Sequence, residues 1–225
     1  CTREIDDYPW SDPEDPTRFK GLRELASKLN EENMYAIVGS AGGDSCVSTA
    51  IFQTACTMRG FEKFLVDMID NKDFAHALLD KIAEIQIRKA VAFLSEVGEF
   101  LDVVAVGDDL CHQGGPLISE KTYEEMVMPY HKRYFHAIKN HTNAKLFFHC
   151  DGSVTSLLSK LIDIGVDIIN PVQVTARDMD PSRLKLRFGD KVVFWGGIDS
   201  QELLPQGKPE EVRKEVKKVA NILGQ

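Results

Sequence analysis

The sequence lacks a paired cysteine framework. Its five cysteines, Cys1, Cys46, Cys56, Cys111 and Cys150, are odd in number and far apart, which argues against a disulfide-stapled secreted fold and for free thiols in a reducing compartment. No apolar run approaches the roughly 18 residues of a membrane span, and no stretch resembles a signal segment, so neither a membrane partner nor export is expected and the cytoplasm is the expected location. A dense basic stripe is also missing: 27 Lys and Arg stand against 35 Asp and Glu, for a formal charge of -8. Phosphate-backbone binding needs concentrated positive charge, so a nucleic-acid partner is not expected. The glycine-rich stretch Gly39-Ser40-Ala41-Gly42-Gly43-Asp44 has neither the lysine of a nucleotide phosphate loop nor the dinucleotide spacing. It reads as a tight strand-to-helix turn with room for a bulky ligand, Gly42 being a substrate-contact candidate.

What is present is enough apolar sequence, 43% of 225 residues, for one domain with a sizeable core. The informative stretch is Leu146-Phe147-Phe148-His149-Cys150-Asp151-Gly152-Ser153, an apolar run that stops at a histidine, a thiol and a carboxylate before turning through glycine. In a strand, His149 and Asp151 point to one side and Cys150 to the other, so two ligand-type groups can meet one ion or substrate. The pattern recurs: Val103 to Val106 ends at Gly107-Asp108-Asp109, Val166 to Ile169 at Asn170-Pro171-Val172-Gln173, and Val192 to Trp195 at Gly196-Gly197-Ile198-Asp199. Short β-branched or aromatic runs, each followed by a helix-length segment, are the rhythm of parallel βα units, whose sites lie beyond the carboxyl ends of the strands.

Strands are expected at about 34–38, 103–106, 145–149, 166–170 and 192–195. Helices are expected at 17–32, 47–57, 61–68, from 70 to about 97, from Ser119, over 153–164 with a cap near Ser153, and after Asp180-Pro181 and Pro209. The expected fold class is α/β, a TIM (β/α)8 barrel, with a doubly wound sheet, which usually concentrates its site at one switch point, as the competitor. Eight units take about 250 residues, so the barrel is expected to be incomplete at both ends, and a chain beginning at Cys1 reads as a piece of a longer protein. Residues 1–33 form an N-terminal connector and helix, and 34–225 the central and later units of the barrel. Asp109, His149, Gln173 and Asp199 are expected to share one cavity. His76, His131, His136 and His141 read as polar helix residues away from the strand mouths, and Arg59 and Arg177 are the bases nearest the strand ends.

These motifs, together with Gly115-Pro116-Leu117-Ile118-Ser119, Pro129-Tyr130-His131-Lys132 and Gly165-Val166-Asp167, resemble the uroporphyrinogen decarboxylase superfamily, which includes corrinoid-linked methyltransferases of the methylcobalamin:coenzyme M type. The resemblance runs from about Met34 to Gly224 and implies a pocket for a tetrapyrrole or another small-molecule substrate. The methyltransferases carry a His-x-Cys-Gly set of zinc ligands. On that pattern His149 takes the histidine position, Asp151 the cysteine position and Gly152 the glycine. With a carboxylate where the family has a thiolate, this implies zinc or another divalent metal on His149 and Asp151, direct binding of the methyl acceptor there, or no metal, together with a corrinoid (methylcobalamin) as methyl donor and a corrinoid protein as partner. The decarboxylases are cofactor-free, and their pocket tyrosine has no counterpart here, since Phe52 or Cys56 falls in its place. The resemblance also implies a homodimer of the intact protein. The expected catalytic residues are His149, Asp151 and Asp109, with Gly42, Asp108, Asn170, Gln173 and Asp199 around the substrate. Methyl transfer is the favoured chemistry, with porphyrinogen decarboxylation and ligand binding without catalysis as alternatives.

Overall fold

A run of β-branched residues between two helical segments has one economical solution, a central parallel strand covered on both faces. The computed structural model, which describes residues 3–40 and 51–224, adopts it five times. Strands β1 (Val38–Ser40), β2 (Val103–Gly107), β5 (Lys145–His149), β6 (Ile168–Asn170) and β7 (Val193–Phe194) form one all-parallel sheet in the order β1-β2-β5-β6-β7. Between β2 and β5, the two-residue strands β3 (Cys111–His112) and β4 (Gly115–Pro116) make a small antiparallel hairpin. The register aligns Gly107 with His149 and His149 with Asn170. Three strands therefore end side by side, and the polar residues that follow them emerge in one row.

Alternation along each strand sorts its residues. Val104, Val106, Leu146, Phe148 and Ile169 join the main core under the helices, whereas Val103, Ala105, Phe147 and Ile168 form a separate cluster on the opposite, barrel-inner face. Trp195 packs edge-on against Phe147, with ring centroids 5.4 Å apart. The architecture is α/β of the TIM-barrel type, with a sheet that does not close among the described residues. No described helix is long and apolar enough to cross a membrane.

The helix layer comprises α1 (Arg3–Asp6), α2 (Leu22–Glu32), α3 (Phe52–Arg59), α4 (Phe61–Asp70), α5 (Lys72–Val97), α6 (Glu120–Thr122), α7 (Met128–His141), α8 (Thr155–Asp163), α9 (Pro181–Phe188), α10 (Leu203–Gln206) and α11 (Pro209–Leu223). Ser119 caps α6 through a 3.0 Å bond from the Thr122 N–H, and Asp180 caps α9 through one from the Arg183 N–H, also 3.0 Å. Between α6 and α7 the helix widens into a π turn over Tyr123–Val127. Pro129, which brings no N–H to the ladder, lies just beyond it.

Four expectations are corrected. The first strand runs over Val38–Ser40 rather than 34–38, because Met34 and Tyr35 are exposed and the Asp102 carboxylate takes the Ile37 N–H at 2.7 Å, so pairing begins at Val38. Ser153 does not cap α8; its hydroxyl donates to the Arg177 carbonyl at 2.5 Å and ties two loops together. His76 is not simply solvated, since its Nδ1 lies 2.8 Å from the Tyr130 hydroxyl. His131 is wholly buried, stacked on Phe135 with centroids 5.3 Å apart and edge-on to Phe148 at 5.7 Å.

What His131 serves is Asp108, a carboxylate 1% exposed. Asp108 Oδ2 accepts from the backbone N–H groups of Ile51 and Phe52 at 2.9 and 2.7 Å, Oδ1 from Gln53 at 2.7 Å, and Oδ2 also lies 2.9 Å from His131 Nε2. Helix α3 has no side-chain cap of its own. Its orphan N–H groups are satisfied by an acid at the end of β2, far away in sequence. The Tyr123 hydroxyl, 3.2 Å from His131 Nδ1, ends the chain; burial, then the charge of Asp108, pushes its pKa well up, so it stays a neutral donor. This corrects the reading of Asp108 as a substrate contact, because its oxygens are spent on the helix and the histidine. Replacing Asp108 by Ala strands three backbone donors and His131, and should cost about 3–5 kcal/mol. Urea unfolding followed by circular dichroism should show that loss, and a smaller one for Asp108→Asn, which keeps an acceptor oxygen.

Candidate functional site

Asp109 follows the buried Asp108 and points the other way, toward the strand mouths. Its Oδ1 accepts the Asp151 N–H at 3.0 Å, and its Oδ2 lies 3.3 Å from the side-chain amide of Gln53, on the helix that Asp108 anchors. His149 closes β5 on the barrel-inner face. Its Nε2 lies 3.9 Å from Asp109 Oδ1 and 3.6 Å from Asp151 Oδ1. Asp109, His149 and Asp151 each offer a ligand atom, and all three atoms lie within 4.8 Å of one another. All three residues are half-buried, so the centre is open to a ligand yet backed by protein.

An amide network holds this geometry. His149 Nδ1 is 2.6 Å from Asn170 Oδ1, and Asn170 Nδ2 donates to the Trp195 carbonyl at 2.9 Å. That second bond fixes the amide, so Oδ1 must accept, Nδ1 must carry the proton, and in the neutral ring Nε2 keeps its lone pair. Gln173 Nε2 donates to Asp151 Oδ1 at 2.7 Å, while its Oε1 accepts from the Gly152 N–H and the Gln113 side chain, both at 2.9 Å. Val172, just before it, is held at φ 57 while 2% exposed. A β-branched residue in the left-handed region carries strain of about 1–2 kcal/mol that the surrounding packing must sustain.

The electrostatic consequence is sharp. Two carboxylates face a nitrogen lone pair, and among the described residues no Lys or Arg lies within 4 Å of either acid. Two carboxylate oxygens and one imidazole lone pair on one side form a donor set that a single cation could bridge. Ligand atoms of a tetrahedral ion with bonds of ~2.1 Å sit about 3.4 Å apart. The 3.6 and 3.9 Å separations from His149 Nε2 are a little wider than that spacing, and the full set of three atoms lies within 4.8 Å. The donor set therefore fits a divalent ion, and one nitrogen with two oxygens is a harder set than thiolates.

The sequence-selected residues divide accordingly. Asp109, His149, Asp151, Asn170 and Gln173 come together, although Asn170 orients His149 rather than facing a ligand first. Asp199 does not join them. Its carboxylate accepts the N–H groups of Gln201 at 2.8 Å and Leu203 at 3.1 Å, a local cap that holds its pKa below the ordinary value. Gly42 lies outside the described residues, with the rest of 41–50. Arg59 is committed to Asp67 at 2.6 Å and stacks over Phe74 at 4.9 Å. Among the described thiols, a hydrogen bond to Cys111 and burial push the Cys150 pKa well up, and burial with the Asp108 charge pushes Cys56 up to about 12, so neither is a ready thiolate. Sequence reading passed over Gln53 and Gln113, whose roles depend on packing that no local pattern announces.

Gly152 shows why the turn after Asp151 has no side chain. Its φ is +82, and a Cβ there would sit 2.5 Å from the His112 carbonyl oxygen, which the Ser153 N–H already engages at 3.0 Å.

An open run of parallel βα units with ligand-type side chains converging beyond adjacent strand ends defines a TIM-barrel-type α/β protein with its site at the usual face. The chain belongs to the uroporphyrinogen decarboxylase family: the family model described as Uroporphyrinogen decarboxylase (URO-D) matches residues 3–224. It is 25% identical over 221 residues to a protein named uroporphyrinogen decarboxylase from Trichodesmium erythraeum (strain IMS101), covering 94% of this chain and 58% of that protein. A solved structure described as a methyltransferase from Methanosarcina mazei matches with a TM-score of 0.68 at 19% identity, over 91% of this chain and 56% of the other. The chain thus spans somewhat more than half the length of each.

Two outcomes follow from this geometry. Intact protein purified without chelator should carry a divalent metal by elemental analysis that His149→Ala abolishes, while Asn170→Ala should weaken metal affinity by roughly 10–100-fold. Equal metal in wild type and His149→Ala would remove the metal centre. Gly152→Ala should likewise lose metal while keeping cooperative unfolding, because its clash displaces the Asp151 turn and not the core.

Proposed function

We propose that the protein is a methyltransferase-like member of the family, moving a methyl group to or from a small acceptor at the Asp109–His149–Asp151 centre. The observation that carries this reading is the orientation of His149, whose protonated Nδ1 is tied to Asn170 at 2.6 Å while Nε2 faces two acids. A divalent ion, zinc in the first instance, would be held by His149 Nε2 with one oxygen each from Asp109 and Asp151. When bound, it supplies the Lewis acidity that lets an acceptor thiol or hydroxyl lose its proton near neutral pH.

The protein's own groups do the positioning. Asn170 sets the imidazole tautomer, Gln173 steers Asp151, and Gln53 steers Asp109. Phe147, Ile168 and Trp195 make an apolar floor on the same sheet face, which keeps water from one side of the acceptor. In this reading the donor is a methyl-corrinoid presented over the mouth, on a corrinoid protein or free. The family resemblance supports that donor. A homodimer of the intact protein belongs to the same proposal.

A second reading, decarboxylation of porphyrinogen acetate groups without a cofactor, is favoured by the name of the Trichodesmium erythraeum relative. It would use Asp109 or Asp151 to protonate a pyrrole carbon and bases to hold the substrate acids. The side chains hydrogen-bonded around the centre are acids and amides instead, which weighs against a highly anionic occupant there.

Anaerobic incubation of the intact protein with methylcobalamin and a panel of thiols, and separately with uroporphyrinogen, distinguishes the two. The expected result is demethylation read from the cobalamin spectrum, reduced roughly 10²-fold or more in His149→Ala. Stepwise loss of substrate carboxylates with the corrinoid untouched would reject methyl transfer.

A further inference from the structure

Lined by the β3–β4 hairpin but by none of Asp109, His149 and Asp151, a cleft of about 900 Å³ lies between α8 and α9. Gly114, Gly115 and Pro116 of the hairpin form its near wall, while Gln113 of the same hairpin bonds to Gln173 at the centre. The volume is that of a small-molecule site.

The charge of the cleft runs against that of the chain. Lys160, Arg177, Arg183 and Arg187 line it with only Glu120 and Asp178 for acids, in a protein of formal charge -8. Lys160 is consumed by Glu120 at 2.8 Å and Glu124 at 3.2 Å, and Arg177 Nε faces Asp178 at 3.6 Å. Arg183 and Arg187 are different. Neither guanidinium has a carboxylate within 4 Å among the described residues, and Arg187 merely stacks on Phe188 at 4.8 Å. Spaced i, i+4 on α9, they share one helix face, an arrangement in which unscreened like charges repel and destabilise the helix by a few tenths of a kcal/mol.

Two further features shape the occupant. Leu186 is 87% exposed at the cleft, the most exposed large apolar side chain described, with buried Leu184 and Ile118 beside it in the wall. Across the cleft, Ser156 and Ser159 stand i, i+3 on α8, both exposed. Ser153 and Thr155, by contrast, spend their hydroxyls on the Arg177 and Asp178 carbonyls at 2.5 and 2.9 Å, which fixes the Arg177 loop against α8. Paired guanidinium groups, free hydroxyls and an apolar surface in one concavity match a ligand with an oxyanion head and an apolar body.

We propose that the α8–α9 cleft is a binding site for a small molecule bearing a phosphate or several carboxylates on an apolar body, its anionic end held by Arg183 and Arg187 and its body packed on Leu186. The site is separate from the candidate centre and does not depend on the chemistry assigned there.

The test uses the intact protein at low ionic strength, with three probes: inorganic phosphate, citrate, and anilinonaphthalene sulfonate, which joins an anion to an aromatic body. Calorimetry for the first two and fluorescence for the third should show saturable binding, with phosphate or citrate displacing the dye. Stronger displacement by phosphate assigns a phosphoryl head, and stronger displacement by citrate assigns a polycarboxylate. Arg183→Glu/Arg187→Glu should weaken all binding by at least tenfold, and Leu186→Ala should weaken the dye more than either inorganic phosphate or citrate. Lys214→Glu/Lys217→Glu, an equal charge change on the exposed face of α11, should leave affinities unchanged. Circular dichroism confirms that the variants are folded. Absence of saturable anion binding, or equal loss in the two double variants, would overturn the proposal.

Discussion

One buried carboxylate ties the helix layer to the sheet. Asp108 accepts three backbone N–H groups at the start of α3 and one contact from His131, all between 2.7 and 2.9 Å. A charge 1% exposed is tolerable only when its lone pairs are met in this way. The arrangement also decides what its neighbour does. With Asp108 turned into the helix layer, Asp109 is turned toward the mouth, and Gln53 on the capped helix reaches back to it.

The centre itself is a product of strand register. Parallel pairing aligns Gly107, His149 and Asn170, so side chains separated by tens of residues in sequence arrive at one level. Hydrogen bonds from amides rather than from bases then hold the acids. Asn170 and Gln173 each use both ends of the amide, fixing His149 through Nδ1 and Asp151 through Oδ1. The outcome is a compact set of two carboxylates around one imidazole lone pair, a donor set suited to a cation. The α8–α9 cleft has the opposite sign, although the same hairpin walls both.

Much of this was legible beforehand. Four of the five apolar runs and the turn residues after them located strands, and the His149-Cys150-Asp151-Gly152 stretch marked the candidate centre, because strand alternation is a local property of the chain. The misreadings share a cause. Asp108, Asp199 and Ser153 are polar residues just past strand ends, where a substrate contact, a local cap and a loop tie look alike in sequence. Their oxygens were claimed by the α3 N-terminus, by the backbone after Asp199 and by the Arg177 carbonyl. His131 looked like a polar helix residue away from the strand mouths because its partner lies 23 residues earlier.

By itself the sequence determined the βα rhythm, the parallel class of sheet and the identity of the ligand-type residues, since hydrophobic period and turn chemistry act over a few residues. Only the tertiary structure decided which acids face the mouth, which amide sets the tautomer of His149, and that Arg183 and Arg187 line a cleft. Each of those depends on a partner distant along the chain, and a hydrogen bond or ion pair has no address until packing brings its two ends within about 3 Å.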